Sequence, residues 1–272
     1  MNKGGFDNMD INIKNYLTKI ASQKSIMSEN MQFPDCIIDP EKIKVVMINE
    51  VVPRNPDDWF YSGTADPENR RTAFGLFERA GVAVKNMQDV IELGIYITTA
   101  LKTPKEGYTA NPDTIAAQLP LMEAELALFP NLKVIMLMGD VAKKSFNMIT
   151  KARTKKNAIP SKPTGYIRVN EYFWNGIRVF PTYIMTGKNL LIEKGKCDTI
   201  SEDIRRMMDY ILRASNSRRG KAVLKRLIVE ATECGFKREL AKKKPKSWLK
   251  SVSVFANGIG GMLFCGVLYI DE

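Results

Sequence analysis

The chain contains no histidine among its 272 residues. That absence excludes Ser-His-Asp and Cys-His sites and any histidine-ligated metal. Acid–base work is left to Asp, Glu, Lys, Tyr or backbone dipoles. Cysteine is scarce: Cys36, Cys197, Cys234 and Cys265 stand apart, with no Cys-x-x-Cys pair. Such spacing argues against a zinc site, an iron–sulfur cluster or a disulfide framework, so neither metal nor cofactor is expected. No apolar run reaches the roughly 18–20 residues that a membrane span requires. Residues 1–15 lack the apolar core of a secretory signal. A membrane partner is therefore not expected, and the cytoplasm is the default compartment.

What is present reads as ordinary globular material, 44% hydrophobic and 26% charged. A chain of this length accommodates one full domain and a smaller appendage. The formal net charge of +11 is unevenly spread. Residues 213–250 hold 13 Lys/Arg against 3 Asp/Glu, whereas residues 1–212 hold 28 against 25. We therefore expect a domain over 1–212 and a small basic α+β extension over 213–272. Such an extension attracts polyanions, nucleic acid first, with Arg218, Arg219, Lys221, Lys242, Lys243 and Lys244 as candidate contacts. A solvated linker with a polar helix face accounts for the same residues.

The apolar runs at 43–49, 95–98 and 133–138 read as buried strands, and helical spacing at 11–24, 71–80, 112–129 and 199–212 places helices between and around them. Pro120 predicts a kink or break near Gln118 in the third of these helices. Asp140 fits the cap of a further helix running to Ile149. Asn175-Gly176 marks a hairpin. Strands alternating with helices predict an α/β fold, a central mostly parallel sheet with helices on both faces. Ligands of such sheets sit beyond the carboxyl ends of the strands, where Glu50, Thr99, Gly139 and Thr186 fall. On spacing alone, Glu50 is either a site residue or the first solvated residue after a core strand. Trp59, Phe60 and Tyr61 either cap the core or offer a stacking surface.

The order of motifs over roughly residues 30–212 resembles the uracil-DNA glycosylase superfamily. Asn49-Glu50-Val51-Val52-Pro53 stands where the iron–sulfur branch has Gly-Glu-Ala-Pro-Gly. Tyr96-Ile97-Thr98-Thr99 with Lys102 stands for its Tyr-Ile-Thr-Asn and lysine. Leu137-Met138-Gly139-Asp140 and Phe180-Pro181-Thr182-Tyr183 with Thr186-Gly187-Lys188 match the two later motifs. The four cluster cysteines are missing, Thr99 replaces the asparagine that reads uracil, and Thr186-Gly187-Lys188 replaces the motif histidine.

The resemblance implies hydrolysis of the N-glycosidic bond of a deaminated or damaged base in single- or double-stranded DNA. Glu50 would stabilise the sugar cation and position water, and Lys188 would stabilise the departing base. Phe60, Tyr61, Thr99, Thr186 and Gly187 would bind the flipped base. A non-catalytic nucleic-acid-binding protein on the same fold is the alternative. Residues 228–267, with Phe255-Ala256-Asn257-Gly258-Ile259-Gly260-Gly261, resemble the start of an Alba-type (Schlafen-like) DNA-binding segment.

Overall fold

The computed structural model describes residues 10–107, 109–187, 190 and 194–230, with side chains up to residue 214. Contacts divide the chain into two units, Met1–Leu212 and Arg213–Glu272. Of the second, the helical backbone to Glu230 and the side chains of residues 213 and 214 fall within the described residues. The segment expected over 228–267 lies outside them from residue 231 onward.

The first unit is an α/β domain, as its alternating pattern predicts. A short ribbon pairs β1 (Ile11–Asn12) with β2 (Ile37–Ile38). It leads into α1 (Ile13–Gln23), where the Asn12 side chain caps Asn15 N–H. The central sheet contains β3 (Val45–Val51), β4 (Ile95–Leu101), β5 (Val134–Met138), β6 (Tyr172–Trp174) and β7 (Ile177–Thr182). Their spatial order is β4-β3-β5-β7-β6, parallel except for the β6–β7 hairpin. Asn175 (φ 49°) and Gly176 (φ 76°) supply the two left-handed residues that this tight turn demands.

Helices α2 (Glu68–Arg79), α3 (Met87–Glu92), α4 (Pro112–Ala127), α5 (Asp140–Thr154), α6 (Thr164–Ile167) and α7 (Lys194–Glu230) complete the order. Period-two alternation splits the sheet into two apolar faces. Val46, Ile48, Tyr96, Ile135 and Leu137 pack with residues of α1, α4 and α5 on one face. Val45, Met47, Ile95, Ile97 and Met136 pack with residues of α2 and α7 on the other. Burial on both faces explains the near-continuous apolar strands.

Three local expectations change. The first strand runs to Val51, so Glu50 lies within it and is buried, 8% exposed, not the first solvated residue beyond it. Helix α4 continues through Pro120 without a break near Gln118. Gln118 accepts from Lys102 N–H at 2.7 Å and donates to Thr103 Oγ1 at 2.8 Å, so tertiary bonds pin the turn that proline weakens. The N-cap of α5 is Gly139, with no side-chain cap of its own, and Asp140 pairs instead with Lys143 at 2.7 Å.

Candidate functional site

Strand β3 is the hinge of the topology. The chain leaves it for β4 on one side, while β5 lies on the other. The crevice between the ends of β3 and β5 is the switch point at which open α/β sheets bind ligands. Glu50 occupies it.

The Glu50 carboxylate is held by donors from two different elements. Its Oε1 accepts from Asp140 N–H at 2.7 Å and Val141 N–H at 3.2 Å, the first amides of α5. Its Oε2 accepts from Lys105 Nζ at 2.7 Å. A carboxylate here complements both the unpaired amides and the positive end of the helix dipole. The cap that α5 lacks within its own sequence is therefore supplied from β3. Gly139 makes this possible. With φ +96°, it holds a conformation that side chains rarely adopt, and a Cβ there would lie 2.5 Å from Glu50 Oε1.

Lys105 is the residue that sequence reasoning missed. The sequence nominated Lys188 for the site; the motif-matched Lys102 is fully buried and bonds Glu125 Oε2 at 2.7 Å, Thr98 Oγ1 at 2.6 Å and Thr99 O at 2.8 Å. Tyr96 and Thr98 hydroxyls donate to the other Glu125 oxygen. Burial lowers the Lys102 pKa, against the pull of Glu125. Lys105 sits one turn of chain later, in the loop beyond β4, which Arg54 ties down through the carbonyls of Lys105 and Glu106. That loop borders an open polar cavity of about 960 Å³ lined by Arg54, Thr103, Lys105, Glu106, Asn111 and Thr114 among others.

The base-binding candidates fall elsewhere. Thr99 pairs with Asn49 across β3 and β4, so alternation turns both away from Glu50, toward the face packed by α2 and α7. Phe60 is buried on that same face, 1% exposed, as is Trp59. The Tyr61 hydroxyl donates to Ile97 O at 2.6 Å on the open edge of β4. Burial pushes its pKa well above the usual tyrosine range, so it stays a donor. Thr186 is half-buried and Gly187 exposed with φ +124°, just beyond β7. Lys188 lies outside the described residues, as do Lys242, Lys243 and Lys244 and the side chains of Arg218, Arg219 and Lys221.

Asn49 adds an unforeseen feature. Its side chain is fully buried, yet neither amide atom has a hydrogen-bond partner among the described residues, and Thr99 Oγ1 beside it also lacks one there. An amide offers one donor edge and one acceptor edge, the pattern that reads a planar heterocycle. Nothing in the local sequence distinguishes Asn49 from a turn residue; only its register against Thr99 does. Among the described residues, no cluster of acidic or cysteine side chains could hold a metal ion. Compared with known proteins, the chain matches no family model, and no curated protein matches it significantly.

Proposed function

We propose that the protein is a DNA-repair glycosylase-like hydrolase that cleaves the N-glycosidic bond of a deaminated or damaged base, with Glu50 as its catalytic carboxylate. One observation carries the reading: a buried carboxylate at the switch point of the sheet, held by Lys105 and the α5 amides. In the reaction the C1′–N bond breaks and its electron pair leaves with the base. Water oxygen then bonds to C1′ and the water proton passes to the base. Positive charge on the sugar is greatest between these events, and a fixed anion lowers the energy of that state.

A second reading, a nucleic-acid-binding protein without catalysis, draws on the cap itself. Glu50 is fully employed in stabilising α5, which explains its burial without chemistry. The two separate by assay of base release from single strands and mismatched duplexes carrying uracil, hypoxanthine or xanthine. Release by the native chain, lost in Glu50→Gln, supports the first. DNA binding without release of any of the three supports the second.

A further inference from the structure

From Val141 to Asn170 the chain carries eight Lys/Arg and not one carboxylate. Three of the eight are committed. Lys143 pairs with Asp140, Arg153 with Glu123, and Arg168 with Glu202 and Asp203. Lys144, Lys151, Lys155, Lys156 and Lys162 have no ion-pair partner among the described residues, and all five are exposed. Lys144 and Lys151 stand seven residues apart, two turns along one face of α5.

Three of these five, Lys144, Lys151 and Lys162, share a concave surface. Lys143, Lys144, Lys151 and Lys162 line a cleft of about 640 Å³ between α5 and the loop that follows it, with the amides of Asn147 and Asn157 and the Ser161 hydroxyl between them. The walls are built. Asn147 is buried and clasps the loop by donating to Ile159 O at 2.8 Å and accepting from Ile159 N–H at 3.1 Å. Lys143 Nζ reaches Thr164 Oγ1 at 2.8 Å, closing the far side. Asp140 also lines the cleft, and its own N–H is bonded to Glu50. The cleft and the seat of Glu50 therefore share the first residue of α5.

We infer that this cleft is a phosphate-binding track that holds the backbone of a nucleic-acid strand beside Glu50. Ammonium groups spaced along a groove, with neutral amides and a hydroxyl between them, suit a run of phosphates. Tyr166, whose N–H is bonded to the lining residue Pro163, has a side chain that is 75% exposed. An exposed aromatic three residues along the chain from a cationic groove is within the means of single-strand binders to stack a base, so the occupant inferred is a nucleic acid, not an anionic lipid surface. The inference rests on the nucleic-acid part of the proposed function and not on base excision. It also puts polyanion recognition within the first unit, independent of the basic extension.

The test is a salt titration of the full chain with a fluorescent single-stranded oligonucleotide. Lys144→Gln, Lys151→Gln and Lys162→Gln together remove three phosphate contacts. Each contact contributes about −0.7 to the log–log salt slope on a single strand, so the slope becomes shallower by about 2. Affinity at low salt falls about tenfold or more. Lys19→Gln, Lys24→Gln and Lys85→Gln remove the same charge elsewhere and leave the slope unchanged. Equal effects of the two triple variants, or no effect of the first, overturn the inference. So does binding of phosphatidylserine vesicles, but not of the oligonucleotide, through the same three lysines. Base release with an unchanged slope overturns this inference alone, and lysine-dependent binding without base release overturns only the glycosylase reading.

Discussion

Replacing Gly139 by alanine tests the seat of Glu50. Gly139 has φ +96° and ψ 176°, a region open almost solely to glycine. A residue with a Cβ pays about 1–3 kcal/mol to remain there. The added methyl would also lie 2.5 Å from Oε1, 2.7 Å from Cγ and 2.9 Å from Cδ of Glu50, so the carboxylate must leave. Its two bonds to the Asp140 and Val141 amides go with it, each worth about 1.5–3 kcal/mol as a bond to a charged group. Taking the low end of each contribution gives a loss of about 4 kcal/mol for Gly139→Ala. Glu50→Gln differs in kind. Its amide oxygen still accepts from the helix, and only the partly exposed pair with Lys105 is lost, about 1 kcal/mol. Urea denaturation read by tryptophan fluorescence should separate the two variants by about 3 kcal/mol. A Gly139→Ala protein within about 1 kcal/mol of the native chain would refute the reasoning.

Three further outcomes are expected. Glu125→Ala strands the buried Lys102 ammonium and removes the acceptor of Tyr96 and Thr98, so it destabilises by about 3–5 kcal/mol; an unchanged melting temperature contradicts this. Burial pushes the Cys36 thiol up to about 12, and Cys197 is fully buried with its thiol donating to Leu190 O. Peptide mapping after iodoacetamide at mildly alkaline pH should find both unmodified in the native chain and modified in urea, whereas rapid native labelling of the half-buried Cys36 contradicts its raised pKa. Burial also raises the Asp203 carboxyl above its ordinary value, against the bonds from Arg168 and Thr182. The folded state then binds a proton more readily than the unfolded one, so between the ordinary and the raised value Asp203 lowers stability as pH rises. Asp203→Asn should remove that slope from a pH series of urea midpoints, and an unaltered slope contradicts the assignment.

Much of the sheet was legible because β3, β4 and β5 are buried on both faces, so their apolar runs are continuous and stand out without any periodicity. The Asn175-Gly176 turn was legible because its backbone admits few residues. The surroundings of Glu50 were not. Its three donors come from residues 105, 140 and 141, far along the chain, and a cap supplied by another element leaves no local signature. Lys102, matched to a motif lysine because it directly follows the strand, is sent into the interior against Glu125 by strand alternation. Asp140 looked like a self-sufficient cap because capping patterns are written for a single helix. The lysine cleft escaped notice because its cations come from a helix and a loop that become neighbours only when Asn147 clasps Ile159.

The central claim concerns Glu50 as a working carboxylate, and single-turnover release of uracil from a single-stranded oligonucleotide tests it most directly. Native chain and Glu50→Gln are compared at matched folding, with the urea midpoint as the control. The expected result is release by the native chain and a rate lower by about 10²–10³ in the variant, the loss typical of one electrostatic contact to a transition state. Equal rates in the two proteins, or bound oligonucleotide that stays intact with both, would contradict it.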